Sequence, residues 1–112
     1  MASERMRRVD EAIRQVLADV LAAELADPRV GFVTVTDVKT SPDLRSARVY
    51  VSVLGDDATR EASLAGLRSA RGLLQRRIAG ELRLRRTPTL EFDYDATTDR
   101  ALRVNALLRE HA

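Results

Sequence analysis

The stretch LRSARGLLQRRIAGELRLRRTPTLEFDYD, Leu67 to Asp95, completes a helical region, crosses a proline and opens a strand. It carries Arg68, Arg71, Arg76, Arg77, Arg83, Arg85 and Arg86 against a single acid, Glu81, before an acidic strand begins at Glu91. Seven arginines and one glutamate leave a net of +6, in a chain of 112 residues whose total is +2. Such a concentration in a near-neutral chain is an electrostatic footprint for a polyanion. Gly72 falls inside the helical pattern, where glycine weakens a helix by about 1 kcal/mol relative to alanine. A bent or broken helix beside clustered arginines is therefore expected.

Upstream, Val9, Ile13, Val16, Leu17, Val20, Leu21 and Leu25 recur at helical spacing, which predicts a helix from Glu4 to Ala26 capped by Ser3 and ended by Asp27-Pro28. Gly31 to Asp37, rich in Phe, Val and Thr, reads as a strand. Thr40-Ser41-Pro42-Asp43 supplies turn chemistry, and Arg45 to Leu54 forms a second strand. Ala47, Val49, Val51 and Val53 share one face of it; Arg48, Tyr50 and Ser52 share the other. After Gly55-Asp56-Asp57 the helical region runs from Ala58 to Leu84. Leu64, Leu67, Leu74, Ile78 and Leu82 are its core positions. Leu90, Phe92 and Tyr94 alternate with Glu91, Asp93 and Asp95, the pattern of a half-buried third strand.

The order is thus α-β-β-α-(kink)-α-β. The first two strands are close enough to form an antiparallel hairpin. The helical crossover makes strands two and three parallel. A three-stranded sheet with helices packed on one face, an α+β fold, follows.

At this length one domain is expected, and 45% hydrophobic residues can support a core. There is no cysteine, hence no disulfide framework or thiolate metal site. No apolar run is long enough to span a membrane. The first ten residues lack a signal-peptide core, and Glu4, Asp10 and Glu11 argue against a transit peptide. A cytoplasmic protein is expected. His111 is the only histidine, which disfavours a catalytic triad or a histidine metal site, and no phosphate-binding glycine loop is present.

The element order is that of a type II KH domain, a fold that clamps single-stranded nucleic acid with a GxxG loop between two helices. No glycine here has another three residues on; Ala70-Arg71-Gly72, an Ala-x-Gly kink, stands in its place. That replacement resembles the ribosome-binding factor A family. RMRRVDEAIRQVLADVL from Arg5 is similar to its first helix, DPRVGFVTVTDVKTSPDLRSARVYVSVLGDD from Asp27 to its hairpin, and LRLRRTPTLEFDYD from Leu82 to its third strand. The resemblance covers Met1 to Asp95; residues 96–112 form a tail, a short helix or disordered. It implies a monomeric, non-enzymatic, cofactor-free factor that binds the free small ribosomal subunit. It further implies a role in late maturation and 5′-end processing of small-subunit rRNA, and importance in the cold.

Under that resemblance the RNA contacts are expected from Arg71, Arg76, Arg83, Arg85, Arg86 and Arg68, with Arg7, Arg8 and Arg45 nearby and Ala70 and Gly72 shaping the kink. Gln75, Arg76, Ala79, Gly80 and Arg83 fall opposite Leu74, Ile78 and Leu82, while Arg77 lies nearer the core edge. An ordinary solvated face is the competing reading. Arg5, Arg7 and Arg8 open a helix, where positive charge is mildly unfavourable unless a polyanion compensates. Glu91, Asp93 and Asp95 could hold a divalent cation, but read better as an exposed strand face. With four aromatic residues, at least Phe92 and Tyr94 placed in the core, backbone-and-shape recognition fits better than base stacking. The rival functions are a general single-stranded nucleic-acid binder, a protein-interaction module and, last, a nuclease using the third-strand carboxylates.

Overall fold

The computed structural model describes residues 3–23 and 29–97. Six elements follow in the order α1 (Glu4–Ala23), β1 (Val33–Thr40), β2 (Ser46–Val53), α2 (Asp57–Ser69), α3 (Arg71–Leu82) and β3 (Thr89–Tyr94). Expected Leu25 and the end of the first helix, like the tail from 98 onward and its His111, lie outside the described residues.

α1 begins where Ser3 accepts the Met6 N–H through its hydroxyl at 3.1 Å, satisfying one of the donors that a helix start leaves unpaired. Its stripe is buried at Ile13, Val16, Leu17 and Val20. The strands are ordered β1-β2-β3, with β1 antiparallel and β3 parallel to β2. The inward residues Val35, Val38, Ala47, Val49, Val51, Val53, Leu90 and Phe92 meet α1 and the buried Leu64, Leu67, Leu74 and Ile78 of the other helices. Burying each large aliphatic side chain contributes about 1.5–3 kcal/mol, so this single layer of contact holds the helices on one face of the sheet.

Expected boundaries move most at β1 and at the end of α3, and by one residue at the ends of β2 and the start of α2. β1 runs to Thr40 rather than stopping at Asp37. A register shift between Val35 and Asp37 keeps the pairing going, and Asp10 of α1 accepts both the N–H (2.9 Å) and the hydroxyl (2.6 Å) of Thr40. The last helix ends at Leu82 rather than Leu84 because Arg83 is left-handed, with φ 44° and ψ 40°. Between β2 and α2, Gly55 has φ 134°, and a Cβ there would lie 2.9 Å from Thr59, so the turn requires glycine. Asp56 then caps α2 by accepting the Thr59 N–H at 2.8 Å.

The helical region breaks at Ala70, whose ψ of 1° departs from the helical value. Its N–H is shared between the carbonyls of Gly66 (3.0 Å) and Leu67 (3.1 Å), while its own carbonyl accepts from Leu74 N–H at 3.0 Å. One residue therefore closes α2 and opens α3. Gly72 lies inside the first turn of α3, two residues beyond the break.

Candidate nucleic-acid interface

α3 is a platform with two faces. Leu74 and Ile78 are fully buried against the sheet and α1. Gly72, Arg76, Ala79 and Gly80 are exposed, as is Arg83 at the helix end. The Arg76 guanidinium folds back along its helix, with Nη1 3.5 Å from where a Cβ on Gly72 would stand. Nothing lies within 4 Å of the corresponding point on Gly80. The surface around Arg76 is thus low, and a ligand backbone can approach the helix closely.

After Arg83 the chain turns back toward the sheet. Leu84 packs on the core, Arg85 and Arg86 are exposed, and buried Pro88 leads into β3. Parallel pairing sets Thr89 beside Ser46, with the Thr89 N–H donating to the Arg45 carbonyl at 2.9 Å. The Arg85-Arg86 loop therefore lands at the hairpin end of the sheet, next to Arg45. The first turns of α1 reach the same end. Asp10 is bonded to Thr40, and Arg5, Met6 and Val9 line one hollow with Pro42 and Leu44. Topology brings these three distant segments to one end of the sheet, which sequence spacing alone could not show.

Partners within the chain divide these arginines into two groups. Arg8 pairs with Glu4 at 3.7 Å and Arg45 with Asp43 at 3.8 Å. Arg77, outside the expected set, pairs with Glu81 at 3.0 Å. Arg68 donates through Nη2 to the Phe92 carbonyl at 3.3 Å. Arg5, Arg7, Arg76, Arg83, Arg85 and Arg86 make no ion pair with any described residue. Arg71 is half-buried, and its Nε is shielded from solvent without a hydrogen-bond partner. Gln75 departs from the expected outward face. It is half-buried, and its Oε1 accepts the Leu90 N–H of β3 at 3.0 Å. A helical wheel records direction at Cβ; the long amide side chain reaches sideways to the neighbouring strand.

The face of the sheet away from the helices has a different character. Lys39, Arg48 and Glu91 lie in one row, and Asp37, Tyr50 and Asp93 in the next. Arg48 bonds both Asp93 and Glu91, which gives the third-strand carboxylates a structural partner. Asp95 accepts the Thr36 hydroxyl at 2.6 Å, and that bond, with the Thr97 N–H, holds its carboxyl below the usual range. Among the described residues no group of three His, Cys, Asp or Glu is placed to hold a metal ion, and no helix is long and apolar enough to cross a membrane.

Helix–hairpin–two helices–strand, with a mixed sheet and no GxxG, defines a type II KH-like domain whose helix junction is closed by Ala70. The chain belongs to the ribosome-binding factor A family, whose model matches residues 5–108, past the Asp95 limit of the resemblance seen in the sequence. It is similar to the crystal structure of ribosome-binding factor A from Thermus thermophilus, with 31% identity and TM-score 0.71, covering 80% of this chain and 94% of that one. A Thermotoga maritima protein assigned to the same family and solved by NMR gives 35% identity and TM-score 0.74, covering 83% and 89%. A homology model of the Thermus thermophilus factor, fitted into a cryo-EM map of a 30S–RbfA complex, gives 28% identity and TM-score 0.63, covering 87% and 98%.

Proposed function

We propose that this protein binds the free small ribosomal subunit and assists late maturation and 5′-end processing of its rRNA, acting by binding without covalent chemistry. The observation that carries this reading is that Arg76, Arg83, Arg85, Arg86, Arg5 and Arg7, along α3, its following loop and the start of α1, make no ion pair with any described residue. Grouped cations repel one another and favour a polyanion that neutralises them. Family membership supplies the polyanion, since the related Thermus thermophilus factor is described in complex with the 30S subunit. Arg76, Arg83, Arg85 and Arg86 hold phosphates directly, with Arg5 and Arg7 extending the surface. Arg71 adds charge at the helix junction. Arg68, Arg8 and Arg45, engaged within the chain, contribute less. Gly72 and Ala70 act through shape. In this reading residues 1–95 form the ribosome-binding domain, 96–112 a tail, and the protein works as a cytoplasmic monomer that matters most at low temperature.

The test is co-sedimentation with purified free small subunits and with assembled ribosomes. Enrichment on free subunits is expected for the wild type, with loss in Arg76→Ala/Arg83→Ala. Enrichment unchanged in the variant moves the site elsewhere. No enrichment for the wild type rejects the function.

A further inference from the structure

Side chains take up backbone groups on both outer strands of the sheet. On β1, the Val38 N–H donates to Asp37 and the Thr40 N–H to Asp10, both at 2.9 Å. On β3, Thr89 and Asp95 turn their N–H groups inward, to the carbonyls of Arg45 and Val51. Leu90 and Phe92 consequently turn theirs outward, toward α2 and α3. There the Leu90 N–H is taken by Gln75 and the Phe92 carbonyl by Arg68. Leu90 is 0% and Phe92 3% exposed. An open strand edge is a template for any extended chain with matching donors and acceptors, and a nucleobase edge presents such groups too. This edge borders the helix that carries Arg76, one residue beyond Gln75.

We propose that Gln75 and Arg68 determine the kind of RNA contact this surface makes: by occupying the Leu90 N–H and the Phe92 carbonyl they withhold these two groups from bases, and leave guanidinium–phosphate contact as the mode of binding. The ligand class is the phosphodiester backbone, irrespective of base sequence. The proposal rests on the RNA-binding reading above and adds to it a specificity role for two residues that touch the strand.

The test is fluorescence anisotropy at fixed low salt with labelled oligo(A), oligo(C) and oligo(U) of about ten nucleotides, within the range one small domain covers. Wild type, Gln75→Ala and Gln75→Glu are compared. The wild type is expected to bind all three within about threefold, since phosphate contacts carry no base information. Gln75→Ala frees the Leu90 N–H, and its affinities are expected to spread by about tenfold or more, the scale of one added base contact. Gln75→Glu keeps an acceptor for that N–H and is expected to keep the flat ranking at lower overall affinity. A tenfold spread in the wild type overturns the proposal while leaving RNA binding intact, as does an unchanged flat ranking in folded Gln75→Ala. If Gln75→Ala does not fold, the wild-type spread and Gln75→Glu decide. Sedimentation with subunits but no binding to any oligomer also overturns it, because phosphate contact must register on any such strand. Failure to bind either subunits or oligomers removes the RNA reading itself.

Discussion

The open face of the sheet and the exposed side of α3 with its following loop both carry arginine, to opposite effect. On the sheet, Arg48 bonds Asp93 and Glu91, and its guanidinium is held further above its ordinary pKa by Asp93 first and Glu91 after it. Its charge is consumed where it stands. Along α3 and the loop, Arg76, Arg83, Arg85 and Arg86 meet no described acid. Availability therefore separates the two regions more than the presence of cations does. The sheet spends its charges on cross-strand pairing; the helix side leaves these four without an ion-pair partner among the described residues.

The comparison presumes that α3 is a fixed platform, held by its buried face. Ile78→Ala should remove about 2–5 kcal/mol of stability in urea unfolding, and a loss under 1 kcal/mol would undo the premise. Next in size is the quadruple variant Arg76→Ala/Arg83→Ala/Arg85→Ala/Arg86→Ala. If each arginine holds one phosphate, the log–log salt slope for RNA binding should flatten by about 3 to 4, at roughly 0.7–0.9 per contact. Arg48→Ala should leave that slope unchanged; an equal flattening would erase the distinction between the faces. Gly80→Ala sharpens it from another side. With open space at that position, alanine should raise stability by about 0.5–1 kcal/mol while weakening RNA binding, a pair of signs that a purely structural glycine would not give. The smallest effect belongs to pH. Asp95 on the sheet, through Thr36, and Asp56, through the Thr59 N–H, have folded pKa values below their ordinary ones. Their contribution is complete above the unfolded carboxylate pKa of about 4 and is lost as pH falls through the folded value. The urea midpoint should drop between pH 4 and 2 and respond less in Asp95→Asn. A midpoint that rises on acidification would contradict the assignment.

Most of the architecture was readable because it depends on periodicity. The stripe through Ile13, Val16, Leu17 and Val20 and the alternation in β2 and β3 name the buried residues directly. The parallel pairing of β2 and β3 followed from the helical crossover. What periodicity does not carry is the reach of long side chains. Gln75 and Arg68 belong to the β3 edge because that strand runs beside α3 and α2, a relation absent from any local window. The break falls at Ala70, within the expected Ala70-Arg71-Gly72 kink, and Gly72 lies beyond it. Glycine permits a bend without requiring one, and the forked hydrogen bond at Ala70 sets the place. The candidate interface was half legible. The arginine cluster stands out in the sequence, whereas the placing of Arg5 against the hairpin turn and of the start of β3 beside Arg45 depends on how distant elements pack.

The left-handed backbone at Arg83 carries a consequence for anyone altering this protein. Glycine is the residue that ends a helix in that conformation at least cost, and a residue such as arginine gives up about 1 kcal/mol to a clash between its Cβ and a carbonyl oxygen. A library selected for heat resistance alone would replace Arg83 with glycine and discard a cation in the same step. If Arg83 holds phosphate as proposed, selection for endurance and selection for ribosome affinity pull in opposite directions at this codon, and a thermostabilised variant should be checked there first.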